Sequence, residues 1–227
     1  MVSRRPKVFV SWSSGKDSAY ALLETRRQSI AEIVGILTTI DATDDRVAVH
    51  GVRSGLLTRQ AAALGLPLIR VELPHPCPNE AYEARFVDAC LRIKAQGIEH
   101  IVFGDLFLED IRTYREGLLA RAGVQGVFPL WRRDTRSLAR EMIASGIVAH
   151  LVCVDLQRLD RSYAGRLFDS SFLSSLPCGV DPCGENGEFY KGDPRRWRDH
   201  LCRARHGMRL SIAVRHANAS RATSDRL

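Results

Sequence analysis

Short apolar runs alternate with longer segments of helical spacing through most of the chain. Apolar and β-branched residues cluster in runs of strand length at residues 7–12, 33–39, 68–73, 100–103 and 148–154. Apolar positions with helical spacing fill the intervals at residues 17–28, 52–64, 80–96, 109–122 and 135–145. This alternation predicts an α/β fold, in which a parallel sheet carries helices on both faces.

In a parallel sheet of this kind, ligands bind outside the carboxyl ends of the strands. We therefore expect the chemistry of the protein to lie directly after Trp12, Thr39, Leu73 and Phe103. The strand and helix rhythm changes beyond Phe128-Pro129-Leu130-Trp131, which indicates a smaller second lobe.

Charge is distributed unevenly along the 227 residues, whose net charge is +7. Residues 1–188 carry 23 Lys and Arg against 23 Asp and Glu, whereas residues 189–227 carry 10 against 3. A neutral body argues against a nucleic-acid-binding face on the folded part and confines that function to the basic tail.

Apolar segments long enough for a membrane helix are not found in the sequence, because no run approaches the roughly 20 residues that a bilayer requires. The first apolar run also reaches polar Ser11 too early for a secretory signal. We therefore expect a cytoplasmic protein with no membrane partner.

The strongest local signal is the hexapeptide that follows the first predicted strand and opens the first helix, Ser13-Ser14-Gly15-Lys16-Asp17-Ser18. Small residues allow a sharp turn, so that backbone N–H groups and the positive end of the helix dipole face one anion. The serine hydroxyls and Lys16 add donors, and Asp17 adds a carboxylate for Mg²⁺ or for the helix N-terminus. The hexapeptide predicts a phosphate-binding loop, although it lacks the spacing of a Walker loop.

These six residues resemble the pyrophosphate-binding loop of the ATP pyrophosphatase superfamily. The resemblance implies that the loop holds the β- and γ-phosphates of ATP as the leaving group, so that the products are AMP and pyrophosphate. Ser14 stands where the family usually has the first glycine of a pair. We expect a serine to fit this position with a negative φ. The alternative is a Ser- and Gly-containing helix start that binds no ligand.

Four further motifs occur along the chain in the same order as in one protein family. They are Leu37-Thr38-Thr39, His50-Gly51-Val52-Arg53, Gly104-Asp105 with the helix start after it, and Pro182-Cys183-Gly184-Glu185-Asn186-Gly187-Glu188-Phe189. Together with the loop they resemble the diphthine-ammonia ligase family and its bacterial-type adenine nucleotide alpha hydrolase relatives. The resemblance implies a Rossmann-like ATP pyrophosphatase domain at residues 1–126, a substrate lobe at 127–189 and a divergent basic tail at 190–227.

Candidate site residues follow from the loop, from the strand ends and from this resemblance. The candidates for nucleotide binding are Ser13, Ser14, Gly15, Lys16, Asp17, Ser18, Thr38 and Gly104, with Asp17 also as the Mg²⁺ ligand. The catalytic candidates are Lys16, Asp17, Asp105, Glu185 and Glu188, and the substrate-binding candidates are His50, Glu109, Arg112 and Tyr114.

Several of these residues have a plainer interpretation. Glu109 lies at a helix start, where acids compensate the helix dipole. His50 is equally well explained as a helix cap. Glu185 and Glu188 flank a glycine-rich loop, in which they bind an amine and remove its proton or else belong to a solvated turn.

The resemblance implies that a substrate carboxylate attacks the α-phosphate of MgATP and that ammonia then displaces AMP to form an amide. In the namesake enzymes the carboxylate belongs to diphthine, a modified histidine on elongation factor 2. Two other functions remain open: a tRNA-modifying ATP pyrophosphatase and an ATP-binding module without turnover. The family pattern breaks at residue 190, which indicates a natural basic extension or a shifted reading frame.

Overall fold

Residues 5–188 are described by the computed structural model of the protein. Expectations that fall on the tail at 190–227 lie outside these residues. The strands are β1 (Lys7–Ser11), β2 (Glu32–Asp41), β3 (Arg46–Val47), β4 (Leu68–Leu73), β5 (His100–Val102) and β6 (Gln125–Val127). The helices are α1 (Lys16–Arg27), α2 (Ser54–Leu64), α3 (Asn79–Lys94), α4 (Glu109–Arg121), α5 (Thr135–Ala144) and α6 (Ser170–Ser175), with a short 3-10 helix at Arg161–Tyr163.

The sheet is mostly parallel, with β1 at its centre between β2 and β5. Strand β4 pairs with the far edge of β2, and β6 pairs with β5, both in parallel. The two-residue strand β3 is antiparallel to the last two residues of β2. Helices flank this sheet, so the predicted α/β fold is confirmed.

The predicted strands agree with the observed ones at β1, β2, β4 and β5. The strand predicted at 148–154 is wrong, because this run forms a single antiparallel bridge from His150 to Leu167 and does not join the sheet. Its apolar residues, such as Leu151, are nevertheless buried. The sequence pattern does not predict β3 and β6, since β3 has only two residues and the sequence of β6, Gln-Gly-Val, contains a single apolar β-branched residue.

Alternating residues of β1 enter two separate hydrophobic clusters, one on each face of the sheet. Val8 and Val10 belong to the first cluster and Phe9 to the second. This is the period of two that a strand imposes on its side chains. Residues of α1 and α2 line the first cluster, and residues of α3 and α4 line the second.

The chain after β6 packs on the face of the sheet that carries α1, α2 and the first cluster. Leu138, Phe168, Phe172 and Cys183 belong to the same buried cluster as β1 and α1. Side-chain caps define the helices in this part: Asp134 accepts from Ser137 N at the start of α5. This packing brings the glycine-rich segment around Cys183 to the sheet.

A buried glutamate ties α1 to the chain that precedes α5. Glu24 is 1% exposed and accepts hydrogen bonds from Arg27 Nε (2.8 Å), Gln28 Nε2 (2.7 Å) and Arg133 Nη1 (3.3 Å). Burial alone would raise the pKa of Glu24, but the bonds from Arg27 and Gln28 hold it below its usual value. The network therefore depends on an ionised carboxylate inside the protein.

None of the helices within residues 5–188 is both long and apolar enough to span a membrane.

Replacing Glu24 by Ala should lower the free energy of unfolding by about 2–3 kcal/mol, because Arg133 and Gln28 would lose a buried acceptor. Chemical denaturation followed by circular dichroism measures this change. Glu72→Ala, at an exposed position of β4, is the control and should change stability by less than about 0.5 kcal/mol. Equal losses in the two variants would show that the network does not stabilise the fold.

Candidate active site

The N-terminus of α1 meets the carboxyl end of β1 in the loop of residues 13–18. Gly15 is the N-cap residue of α1, so no side-chain oxygen of its own accepts from the first N–H groups of the helix. Ser18 Oγ donates to the Gly15 carbonyl (3.0 Å), and Ser13 Oγ donates to Ser18 Oγ (3.2 Å). The loop therefore presents a helix N-terminus lined with hydroxyl groups, which is a suitable site for an anion.

Ser14 occupies the sharpest point of this loop and differs from the expectation. Its φ is +63°, in the left-handed region that favours glycine, so the expected negative φ is wrong. Its side chain is fully buried, and its Oγ has no hydrogen-bond partner in the structure. A serine in this conformation costs about 1–2 kcal/mol relative to a right-handed one. A buried hydroxyl without a partner also indicates a polar ligand at this point.

The loop after β5 passes directly against the first turn of α1. A Cβ atom on Gly104 would lie 2.7 Å from the carbonyl carbon of Asp17 and 2.8 Å from the backbone nitrogen of Ser18. Only glycine permits this approach. It brings Asp105, the next residue, next to the nucleotide-loop candidates, as the strand-end argument predicts.

His50 contacts the same loop from the segment between β3 and α2. Its Nδ1 lies 2.8 Å from the Ser13 carbonyl, which can only accept, so Nδ1 carries the proton. A Cβ atom on residue 15 would lie 2.6 Å from His50 Cε1, which explains Gly15. Burial lowers the pKa of His50, and nearby Lys16 lowers it further. The cap interpretation is wrong, because α2 begins at Ser54.

Lys16 joins the nucleotide loop to the glycine-rich loop that we call the closing loop, residues 181–188. Its Nζ lies 2.9 Å from both Asp17 oxygens and donates to the Cys183 carbonyl at 2.7 Å. Burial alone would lower the pKa of Lys16, but the charge of Asp17 raises it above its usual value. The ammonium group is therefore a fixed positive charge at the junction of the two loops.

The two glutamates of the closing loop have different environments. Glu188 is fully buried, accepts from Asp181 N (3.1 Å) and Asn186 N (3.0 Å), and pairs with Arg158. These contacts stabilise the conformation of the closing loop, and they rule out the solvated-turn alternative for Glu188. Burial, with the charges of Asp17 and Asp105, raises the pKa of Glu185 to about 8. Glu185 therefore changes its protonation state near neutral pH.

Asp105 is held by a residue that the sequence argument missed. Arg115 Nε lies 2.9 Å from Asp105 Oδ2, and the Arg115 guanidinium lies 4.9 Å from the centre of the Phe103 ring. Burial raises the pKa of Asp105, and the charge of Arg115 opposes this shift. The helical spacing of Arg112 and Arg115 could have revealed the second arginine, because positions i and i+3 share a helix face.

Three other candidate residues, Thr38, Glu109 and Tyr114, make their contacts away from the place where the nucleotide loop meets the closing loop. Thr38 is buried and donates to the Trp12 carbonyl (2.7 Å), so its observed contact supports the chain that enters the loop. Exposed Glu109 pairs with Arg132. Tyr114 donates to Asn79 (3.1 Å) on α3.

Arg112 lies over two aromatic rings at the start of α4. Its guanidinium is 4.4 Å from the centre of the Phe128 ring and 4.6 Å from that of Trp131, while its Nε donates to Glu116. Stacking of this kind fixes the plane of the guanidinium and leaves hydrogen-bonding groups at its edge. Such an arginine is suited to a carboxylate or phosphate.

A family model described as the diphthamide synthase N-terminal domain matches residues 6–126, which is more than half of the chain. A diphthine–ammonia ligase of Schizosaccharomyces pombe is 25% identical over 203 residues, covering 81% of this chain and 33% of that protein. The human diphthine–ammonia ligase is 27% identical over 202 residues, covering 78% of this chain and 74% of that protein.

The chain thus spans about a third of the yeast relative and about three quarters of the human one. Among solved structures, one described as a predicted subunit of tRNA methyltransferase from Methanocaldococcus jannaschii aligns with a TM-score of 0.41 and 18% identity. That alignment covers 64% of this chain and 78% of the other.

Replacing Ser14 by Gly should raise the free energy of unfolding by about 1 kcal/mol, because glycine adopts a positive φ without steric cost and the buried hydroxyl is removed. Ser29→Gly is the matched control, since Ser29 also has a positive φ of 55° but lies in an exposed position. Thermal and chemical denaturation measure both. A loss of stability in Ser14→Gly alone would show that the hydroxyl stabilises the loop.

The pKa of Glu185, raised from 4.5 to about 8, predicts a pH dependence of stability. Between pH 4.5 and pH 8 the folded protein keeps a proton on Glu185 that the unfolded chain has released. The stability that this proton contributes is therefore fully present below pH 4.5 and is lost as the pH rises towards 8. The melting temperature should therefore fall less over this range in Glu185→Gln than in the wild type.

Glu72→Gln, at an exposed position of β4, is the control and should follow the wild-type profile. Parallel profiles for Glu185→Gln and the wild type would mean that Glu185 titrates normally.

Proposed function

Because the chain belongs to the diphthamide synthase N-terminal domain family, we propose that it is an ATP-dependent amide ligase of the diphthine–ammonia ligase type. In this reaction a carboxylate is adenylated, pyrophosphate leaves, and ammonia converts the acyl adenylate into an amide and AMP. The observation that carries the proposal is the glycine-capped N-terminus of α1, whose loop holds a buried hydroxyl without a partner.

ATP fits the donors of the loop at residues 13–18. The helix N-terminus and the ammonium of Lys16 provide positive potential and hydrogen-bond donors for the β- and γ-phosphates. The hydroxyls of Ser13 and Ser18 would add donors by rotating away from their present acceptors, Ser18 Oγ and the Gly15 carbonyl. The unpartnered Oγ of Ser14 adds a further donor. Charge that develops on the pyrophosphate as the bond to the α-phosphorus breaks would be stabilised by these groups.

Mg²⁺ is proposed with Asp17 as its protein ligand. Within residues 5–188 no group of three Cys, His, Asp or Glu side chains could hold a metal by itself. A magnesium ion that is bound mainly by nucleotide phosphates needs only one or two carboxylates. When bound, it would neutralise phosphate charge, and Asp17, whose two oxygens lie 2.9 Å from Lys16 Nζ, would hold it.

The acyl substrate is proposed to enter beside α4. Arg112, fixed on Phe128 and Trp131, offers a planar donor edge to an anionic group of the substrate. His50, Glu109 and Tyr114 remain proposals for the same role. By analogy with the relatives' name, the substrate class is a carboxylate of a modified amino acid, with diphthine on elongation factor 2 as the first candidate.

The nitrogen step is assigned to the closing loop. Ammonia attacks the acyl carbon, the bond to the AMP oxygen breaks, and the nitrogen loses a proton to a base. With a pKa of about 8, Glu185 is a suitable proton acceptor for this step. The sequence predicts Glu188 as a second catalytic carboxylate, but its buried contacts favour a role in folding the loop.

We also propose that the chain divides at residue 126 into a nucleotide-binding domain and a substrate lobe. The proposed location of the protein is the cytoplasm.

Product analysis with MgATP, ammonium and candidate carboxylates tests the proposed function. The expected products are AMP and pyrophosphate. Asp17→Ala should lower their formation at least about 100-fold, because the proposed Mg²⁺ would lose its protein ligand and Lys16 its ion-pair partner. Asp44→Ala, at an exposed position after β2, should retain wild-type rates, and thermal denaturation checks that both variants fold.

ADP and phosphate as products would contradict the proposed chemistry. ATP binding without cleavage for every acid tested would indicate a binding module. AMP formation that requires tRNA would instead indicate a tRNA-modifying ATP pyrophosphatase.

A further inference from the structure

Arg115 lies on α4 and contacts both ends of the turn that leaves β5. Its guanidinium stacks 4.9 Å from the Phe103 ring centre, and its Nε lies 2.9 Å from Asp105 Oδ2. The side chains of Arg115 and Asp105 are 23% and 17% exposed. The two contacts therefore bracket Gly104 from either side.

Gly104 packs directly against the nucleotide loop. A Cβ atom built on it would lie 2.7–2.8 Å from the backbone of Asp17 and Ser18, so only a glycine fits there. A turn that is packed this closely transmits any displacement of Asp105 to the first turn of α1. A residue that fixes the turn at Phe103 and Asp105 also fixes its contact with the nucleotide loop.

The charges around Asp105 show why a cation is needed there. Burial disfavours its ionised form, and the charge of Asp17 adds to that effect. Glu185 on the closing loop is a further carboxylate within electrostatic range. Arg115 is the ion-pair partner that offsets this negative charge, and Arg112 on the same helix helps at longer range.

Resting on the proposed function, we propose that Arg115 is a positioning residue, which holds the Asp105 carboxylate and the turn after β5 against the nucleotide loop. It acts through Asp105 and does not itself bind ATP or the acyl substrate. Arginine suits this position better than lysine, because its planar guanidinium stacks on Phe103 while its charge lies beside the carboxylate. The contact is a charge pair, since Arg115 Nε and Asp105 Oδ2 make no directed hydrogen bond within the described residues.

A double-mutant cycle tests this role. Arg115→Gln, Asp105→Asn and the double variant are compared in pyrophosphate release and in the affinity for α,β-methylene-ATP. Each single variant should lower kcat at least about tenfold with KM for ATP changed less than about threefold, and the double variant should be within about threefold of the worse single one. This non-additivity is expected because both substitutions remove one interaction.

Arg115→Lys should recover part of the lost kcat, since it restores the charge without the stacked plane. An exposed arginine–aspartate pair on α3, Arg92 and Asp88 at 3.2 Å, supplies the matched control. The corresponding cycle of Arg92→Gln and Asp88→Asn should leave kcat and affinity at wild-type values.

Losses that multiply in the double variant would overturn the inference, because Arg115 would then act independently of Asp105. The inference is also overturned if Arg115→Gln only lowers the melting temperature and leaves kcat unchanged. If the wild type neither binds the analogue nor releases pyrophosphate, the proposed function fails, and the inference fails with it. If the wild type is active but the effects of the two substitutions are additive, the inference about Arg115 fails and the proposed function stands.

Discussion

The close approach of three separate segments to the N-terminus of α1 is the constraint on which the candidate site depends. A Cβ atom on Gly104 would lie 2.7 Å from the carbonyl carbon of Asp17, His50 packs on Gly15, and Lys16 donates to the Cys183 carbonyl. Each contact requires either a glycine or a specific polar group. Together they bring the ends of β1 and β5 and the closing loop to one point.

Charge is concentrated where these segments meet. Asp17, Asp105 and Glu185 are carboxylates within electrostatic range of one another, whereas Lys16 and Arg115 are the cations paired with the first two. Burial, together with the charges of Asp17 and Asp105, raises the pKa of Glu185 to about 8. Fixed cations beside the nucleotide loop and a carboxylate that titrates near neutrality are the features that phosphate departure and proton removal would need.

The α/β fold could be predicted from the sequence, because apolar runs of strand length and segments of helical spacing encode its elements. The meeting of the loop at residues 13–18 with Asp105 could also be predicted, because parallel strands place their carboxyl ends on one edge. The run at 148–154 misled the prediction, since apolar composition does not reveal whether a partner strand exists. The positive φ of Ser14 was also missed, because tertiary packing sets it. Arg115 lacked a motif, and only the fold places it against Asp105.

Hydrogen exchange with bound α,β-methylene-ATP tests most directly whether the N-terminus of α1 is the nucleotide site. This analogue cannot be cleaved between the α- and β-phosphates, so it occupies the site without turnover. Binding should slow exchange in peptides that contain residues 13–18 and in those of the closing loop, which Lys16 connects to them. Saturating binding that leaves exchange at residues 13–18 unchanged would contradict the account.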